Sequence, residues 1–303
     1  MIPNAALGAL RAYVRHAPGT AGKRLLLDRY LNDALTRRPH TALARTRTGD
    51  RFPVTTSDVI QRYLYLFGVW EPNLTAWLSR RLRPGETFVD VGANIGYYTL
   101  LASRLVGPTG RVISIEASPA FHQALTSAAR DNGCHNIRSA NTAVSATAET
   151  LTFYLEHSTN LGGTTAALRP RTVESSFQMD ALPLPQVLQG DELDRARVIK
   201  VDVEGAEASL MHGLAPALDR LRDDAELVIE VTPRLLSKQG QDVEEVLAPL
   251  REHGFHLYKL TNDYAAGSYP TAQRRPAAPV RWDQSITEMS DLIFSRTNAA
   301  TLP

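Results

Sequence analysis

The residues with the clearest chemical meaning follow the apolar stretch at Phe88, where a single carboxylate, Asp90, precedes a turn that contains Gly92, Asn94 and Gly96. The apolar stretch predicts a buried strand, and the residues after Gly96 have helical spacing. Glycine lets a backbone come close to a ligand, and a helix N-terminus offers unpaired N–H groups. The segment therefore predicts a cofactor site.

The spacing of this turn indicates which cofactor. A dinucleotide fingerprint has the form G-x-G-x-x-G, whereas Asn94 stands here in place of the second glycine. Asparagine tolerates positive φ best among the other residues, so the turn keeps its shape. Asp90 would repel a pyrophosphate and attract a cation. These features favour S-adenosylmethionine, which carries an ammonium and a sulfonium, over a nicotinamide dinucleotide.

A second acidic residue supports this interpretation. The strand pattern Arg111-Val112-Ile113-Ser114-Ile115 ends on Glu116. A carboxylate at that position can accept hydrogen bonds from both ribose hydroxyls. The simpler alternatives are that Asp90 caps the next helix and that Glu116 is a solvated strand end.

A further group of charged residues follows a later strand. Lys200, Asp202 and Glu204 lie in or just after the apolar run at 198–203, and Glu230 lies near the end of another strand. Ligands of open α/β sheets bind beyond the carboxyl ends of the strands, so these carboxylates should meet Asp90 and Glu116 at one edge. Asp202, Glu204, Glu230 and His157 are candidate general bases. Lys200 is expected to pair with a carboxylate, and Glu207 to face solvent.

Alternating strand and helix patterns from residue 60 onward predict an α/β fold, a mostly parallel sheet with an antiparallel edge. Residues 1–50 show helical spacing and no strand pattern, and a short extended piece at 51–59 could form a hairpin. We therefore predict an N-terminal helical extension over 1–59 and a main domain over 60–303. The polar stretch 157–179 predicts a loop, either a mobile lid or plain surface.

The composition is ordinary for a globular protein: 303 residues, 43% hydrophobic, 21% charged and a formal net charge of +1. The single cysteine excludes an intrachain disulfide or cysteine-based metal site. We expect a cytoplasmic protein with a small-molecule acceptor and no metal, nucleic-acid or membrane partner, and a homodimer remains open. The basic first fifty residues are interpreted as the surface of helices.

The two motifs together, Val89-Asp90-Val91-Gly92-Ala93-Asn94-Ile95-Gly96 and Ile199-Lys200-Val201-Asp202-Val203-Glu204-Gly205-Ala206-Glu207, resemble the FkbM family of S-adenosylmethionine-dependent methyltransferases. The resemblance covers about residues 60–296. It implies a class I methyltransferase (Rossmann-like) fold and O-methylation of natural products, sugars and related small molecules. It also places the methionine end at the glycine turn, the ribose at Glu116 and methyl transfer at Asp202 and Glu204. Glu71, after Trp70, matches the family pattern before the first strand.

The predicted cofactor-binding residues are therefore Glu71, Asp90, Gly92, Asn94, Gly96, Tyr98, Glu116, Ala117, Ser118, Thr142, Ala143 and Asp202, and the predicted catalytic residues are Asp202, Glu204 and Glu230. Three other functions stay open at this point. The acceptor could be a nitrogen or a carboxylate on a peptide or antibiotic scaffold, because the cofactor half would be the same. A non-catalytic cofactor-binding homologue would keep the fold without the activity, and a dehydrogenase is opposed by the missing middle glycine.

Overall fold

The computed structural model describes residues 4–155, 164–165 and 175–303. These residues form two compact units. The N-terminal unit consists of 4–76 and 262–277, and the sheet unit of the remaining described residues. The units divide after Ala76, whereas the domain boundary predicted after residue 59 stays a prediction. Within the described ranges, no helix is both long and apolar enough to cross a membrane.

The helices are α1 (Asn4–His16), α2 (Lys23–Leu26), α3 (Asn32–Arg37), α4 (Val59–Phe67), α5 (Pro72–Arg81), α6 (Tyr97–Val106), α7 (Pro119–Asp131), α8 (Leu184–Val187), α9 (Glu207–Leu214), α10 (Pro233–Lys238), α11 (Val243–Glu252) and α12 (Tyr269–Ala272), with a π-helical turn at Leu27–Leu31 and 3-10 turns at Ala215–Arg220 and Ala266–Ser268. The strands are β1 (Thr41–Arg45), β2 (Arg51–Thr55), β3 (Thr87–Val91), β4 (Arg111–Ile115), β5 (Ile137–Ala140), β6 (Ala143–Val144), β7 (Glu149–Leu155), β8 (Thr164–Thr165), β9 (Ser175–Leu182), β10 (Ala196–Val201), β11 (Glu226–Val231), β12 (His256–Leu260), β13 (Val280–Arg281) and β14 (Ser290–Ser295).

The N-terminal unit contains a β-hairpin whose second strand lies in the extended piece expected at 51–59 and whose first strand was not expected. Strands β1 and β2 pair antiparallel, so the expectation of no strand before residue 50 is wrong. Ala44 and Phe52 face inward, and α4 packs against both strands. The hairpin turns at Gly49, which has a φ of 99°. The alternation was hard to recognise because the outward positions of β1 carry a basic and an apolar residue alike, Arg45 and Leu43.

The sheet unit is built on eight strands in the order β13-β12-β14-β11-β10-β3-β4-β5. The five strands from β11 to β5 run parallel, and β14 enters antiparallel between β11 and β12. This confirms the predicted α/β fold with a parallel sheet and late antiparallel strands. Strands β3 and β10 are buried along their whole length, which explains why most of their residues are apolar even though β3 contains Asp90 and β10 contains Lys200.

The central strand of this sheet is also where its winding changes direction. Strand β3 has β4 on one side and β10 on the other, and all three run parallel. In open α/β sheets, such a switch point leaves a crevice at the carboxyl ends of the strands. The residues that follow β3, β4 and β10 therefore share one edge.

A second, four-stranded sheet has the order β6-β9-β7-β8. Phe153 of β7 and Phe177 of β9 are register partners, and their rings stack with centroids 5.3 Å apart. The β-rich stretch predicted after residue 143 is confirmed. The loop prediction for 157–179 lies outside the described residues at 157–163 and 166–174, and it is wrong at 164–165 and 175–179, which are strands.

Candidate active site

The turn after β3 brings the ends of three strands together. The N–H groups of Gly92 and Ala93 both donate to the carbonyl of Ile115, at 2.9 and 3.1 Å, and the N–H of Asp202 donates to the carbonyl of Val91 at 3.0 Å. Gly92 has a φ of 77°, and a Cβ built there would lie 1.8 Å from the backbone oxygen of Asp202. This position therefore requires glycine, because the chain leaving β10 occupies the space of a side chain.

The rest of the turn has the conformation expected for asparagine and glycine. Asn94 has a φ of 51°, and its Oδ1 accepts a hydrogen bond from the N–H of Ile95 at 2.7 Å. Gly96 has a φ of 90° and caps α6. The prediction that Asn94 keeps the turn at positive φ is confirmed.

Asp90 is almost completely buried below this turn. Its exposed fraction is 1%, and Thr99 Oγ1 on α6 donates to Asp90 Oδ2 at 2.6 Å. Burial raises the pKa of Asp90, while Lys200 and the hydrogen bonds from Thr99 oppose that shift. The sequence analysis did not identify Thr99. The only signal was a threonine in the first turn of α6.

The Glu116 carboxylate is hydrogen-bonded both to the glycine turn after β3 and to the turn after β4. Its Oε2 accepts from the N–H of Asn94 at 2.7 Å and its Oε1 from the N–H of Ser118 at 2.8 Å. Burial raises the pKa of Glu116 to about 7, and repulsion from Asp90 and Asp202 adds to this shift. A carboxylate has about four lone-pair positions, so both oxygens can accept further hydrogen bonds.

Residues after β5 complete this side of the edge. The side-chain amide of Asn141 donates to the carbonyls of Glu116 and Ala117, at 2.7 and 3.1 Å, which holds the Glu116 turn in place. Sequence reasoning missed Asn141. The Thr142 hydroxyl donates to the Asp180 carbonyl at 2.8 Å, and the Ala143 side chain belongs to a small apolar cluster. Ala143 could therefore contact a ligand only through its backbone.

Lys200 lies on β10. Among the residues that the structure describes, it is the one cation within hydrogen-bonding distance of the carboxylates at this edge. Lys200 Nζ lies 3.0 Å from Asp202 Oδ2, which confirms the expected ion pair. The same ammonium lies 5.1 Å from the centroid of the Tyr98 ring. Tyr98 is buried, with an exposed fraction of 5%, so this is a buried cation–π contact.

The turn after Asp202 is conformationally strained. Glu204 has a φ of 32° and Gly205 a φ of 91°. Positive φ at a non-glycine residue is uncommon and occurs often at functional sites. Glu207 Oε1 accepts a hydrogen bond from the N–H of Gly205 at 2.9 Å.

The position of Glu207 contradicts the sequence analysis. Its exposed fraction is 1%, so the expectation that it faces solvent is wrong. The reason is that the first residue of α9 turns its carboxylate back onto the preceding turn. Burial raises the pKa of Glu207 to about 7, and repulsion from Asp202 contributes.

Two further predicted residues have other partners. Glu230 is half-buried on β11 and is the register partner of Asp291 on β14. Glu71 belongs to the N-terminal unit, where it has a φ of 38° and accepts a hydrogen bond from Tyr264 Oη at 2.8 Å. The structure thus groups Asp90, Asn94, Glu116 and Asp202 at one edge, while every binding or catalytic role assigned from the sequence stays a prediction.

The sheet order and the glycine turn at its switch point define a class I methyltransferase fold. A family model described as the methyltransferase FkbM domain matches residues 90–257, which is more than half of the chain. The chain belongs to this family, and it is a methyltransferase.

Solved structures with similarity to the chain include other methyltransferases. Methyltransferase FkbM from Methylobacillus flagellatus KT is 14% identical, with a TM-score of 0.44, and the match covers 78% of this chain but only 52% of that protein. Precorrin-6y C5,15-methyltransferase from Geobacter metallireducens GS-15 is 12% identical (73% and 88% covered, TM-score 0.41). TYW2 of P. horikoshii, in complex with MeSAdo, is 14% identical (85% and 72% covered, TM-score 0.41). No curated protein matches the chain.

Proposed function

We propose that this protein transfers a methyl group from S-adenosylmethionine to a hydroxyl group of a small molecule. The observation that carries the proposal is the acidic edge around the glycine turn. Asp90, Glu116 and Asp202 interact electrostatically there, and Lys200 is the cation that the structure places against them. The excess of negative charge suits a cofactor whose centre is a cation.

The chemistry of the residues present fits that cofactor. Glu116 would accept hydrogen bonds from the ribose hydroxyls, because both of its oxygens are already fixed by backbone N–H groups. The turn at Gly92 and Asn94 would hold the methionine end. When bound, S-adenosylmethionine supplies an electrophilic methyl group on a sulfonium. The protein contributes mainly by orienting the acceptor in line with that group.

A hydroxyl acceptor must also lose a proton. Asp202 and Glu204 follow β10, and Glu230 lies near the end of the neighbouring parallel strand β11, so all three belong to the edge where an acceptor would lie. A positioned carboxylate can accept the proton as the methyl group is transferred. An acceptor that is already an ionised carboxylate has no proton to lose and therefore needs no base. A base such as Glu204, which lies in a strained turn, would serve a hydroxyl acceptor instead.

We expect S-adenosylhomocysteine to bind the purified protein with micromolar affinity and NAD to show no binding. The physical reason is that the acidic edge complements an ammonium and repels a pyrophosphate. Isothermal titration of each ligand into the full chain measures both affinities. Binding of NAD, or of neither ligand, would contradict the proposed cofactor.

The methylated product should be an ether. Incubation with methyl-labelled S-adenosylmethionine and a panel of hydroxylated natural products and sugars should give label that resists alkali and acid. An alkali-labile product would identify a methyl ester and therefore a carboxylate acceptor. Mass spectrometry that places the label on nitrogen would assign an amine acceptor instead. Reactions without acceptor serve as the control.

A further inference from the structure

The N-terminal unit carries a charge that the composition of the whole chain conceals. Residues 4–76 and 262–277 contain 13 Lys and Arg against six Asp and Glu, a formal net charge of +7, although the whole chain carries only +1. The remaining residues are therefore acidic overall. Such a separation of charge indicates that the two units meet different partners.

Five arginines of this unit lie close together and form what we call the basic face: Arg11, Arg15, Arg45, Arg47 and Arg274. Arg274 belongs to it because, besides burial, repulsion from Arg274 and from Arg47 lowers the pKa of the same residue, Lys23. Arg15 donates to the carbonyl of Arg45, and Arg47 donates to Gln273 Oε1. Burial lowers the pKa of Arg15, and repulsion from Arg11, Arg47 and Arg45 adds to that shift.

No carboxylate among the described residues forms an ion pair with any arginine of the basic face. Arg11 illustrates the pattern, since its Nε donates to the carbonyl of Tyr65 at 2.7 Å and its guanidinium lies over the Tyr65 ring. Like charges that are packed together without counter-charges repel one another. An external anion would relieve that repulsion.

Large apolar side chains are also exposed in the N-terminal unit. Four of the six exposed large hydrophobic residues of the described chain lie in the N-terminal unit: Tyr13 (41% exposed), Leu25 (63%), Tyr30 (53%) and Leu43 (60%). Leu43 shares the outward face of β1 with Arg45, so an apolar and a basic side chain lie side by side there. Tyr13 is two residues from both Arg11 and Arg15 on α1, which turns its ring to another side of that helix.

We propose that the basic face and its apolar side chains dock onto a bilayer that contains anionic phospholipids. Arginines attract the negative headgroups, while exposed leucine and tyrosine side chains gain free energy by entering the boundary between headgroups and acyl chains. Arginine can also bury its apolar stem while its charged end stays at the headgroups. This attachment is peripheral, and it replaces the expectation of no membrane partner.

A nucleic acid explains the surface less well. Arginines would bind phosphates equally well, but single-stranded bases stack on aromatic rings and leucine offers no such face. The two most exposed hydrophobic residues, Leu25 and Leu43, would then have no role.

The proposal of membrane docking does not depend on the methyl-transfer reaction.

Flotation of the full-length protein with vesicles tests the proposal. We expect binding to vesicles in which about a third of the phosphatidylcholine is replaced by phosphatidylglycerol, release at high salt, and no binding to phosphatidylcholine alone. The double variant Arg45→Gln/Arg274→Gln should bind these vesicles about tenfold more weakly than the native protein. Leu25→Gln/Leu43→Thr should also weaken binding, which a purely electrostatic contact would not show.

The matched control is Arg130→Gln/Met289→Gln in the sheet unit, where both side chains are exposed. It should bind the anionic vesicles as the native chain does, and thermal unfolding of each variant verifies folding. Absence of binding to anionic vesicles, equal binding to neutral vesicles, or an equal loss in the control would overturn the proposal. So would an oligonucleotide that binds more tightly than the vesicles and is unaffected by the leucine changes.

Discussion

Replacing Gly92 with alanine is expected to abolish binding of S-adenosylhomocysteine and to lower the thermal stability of the protein. The added Cβ would lie 1.8 Å from the backbone oxygen of Asp202, at a φ of 77°. Neither backbone segment can move alone, because the N–H of Asp202 is hydrogen-bonded to the carbonyl of Val91 and the N–H of Gly92 to the carbonyl of Ile115. Relieving the overlap must separate β3 from the chain that leaves β10.

Gly254→Ala is the matched control for this experiment. Gly254 has a φ of 79°, nearly that of Gly92, but a Cβ there meets nothing within 4 Å. Its substitution should cost about 1–2 kcal/mol from backbone conformation alone, with cofactor binding retained. Differential scanning calorimetry and isothermal titration measure the two effects. If both variants lose the same stability and keep the same affinity, the close approach at Gly92 has no role in the site.

The glycine turn could be predicted because its chemistry is local. The type and order of Asp90, Gly92, Asn94 and Gly96 define a strand, a turn with positive φ and a helix start, and the structure has all three. The parallel sheet was predictable for a similar reason, since fully buried strands such as β10 consist mostly of apolar residues.

Other features depend on contacts that no local pattern carries. Glu207 is charged and begins a helix, which is typical of an exposed residue, yet it is buried because the preceding turn offers the N–H of Gly205. Thr99 donates a hydrogen bond to Asp90, and Asn141 donates one to the carbonyl of Glu116. Their partners lie nine or more residues away, so only the fold reveals them.

The hairpin of β1 and β2 shows a third kind of limit. Its strand pattern was hidden because Leu43 and Arg45 occupy outward positions, where an apolar residue contradicts simple alternation. The same exposed leucine is part of the surface proposed to meet a membrane. The exposed leucine that breaks the alternation of β1 is therefore also one of the residues on which the membrane proposal rests.

Replacing Glu116 with glutamine should weaken S-adenosylhomocysteine binding by about 1.5–3 kcal/mol, or roughly 10- to 150-fold, the usual value of hydrogen bonds to a charged group. The carboxylate accepts N–H bonds through both oxygens, from Asn94 and Ser118. Glutamine has one acceptor oxygen, so its amide group would oppose one of those N–H donors. Isothermal titration of the two proteins gives the difference directly.

The same residue predicts a dependence on pH. The pKa of Glu116 in the ligand-free protein is raised to about 7, so the carboxyl is largely protonated at pH 6. Because the folded pKa exceeds the unfolded one, this group's contribution to stability is greatest at acidic pH and falls as the pH rises toward 7. A ligand that requires the carboxylate behaves oppositely. Its affinity should rise between pH 6 and 7.5, by at most about tenfold per unit, with proton release on binding.

Glu207 supplies the control for this pH dependence, because its pKa is also raised to about 7. In Glu207→Gln the affinity should still rise with pH, whereas in Glu116→Gln it should be low and nearly constant. Titrations in two buffers of different ionisation enthalpy count the protons released. A native pH profile in Glu116→Gln would remove the ribose role from Glu116, and its loss in Glu207→Gln would then assign the titration to Glu207 rather than to Asp90, whose pKa is also raised. Since Glu207 bonds to the turn after Asp202, that outcome would shift the pH-sensitive contact toward the acceptor side of the site.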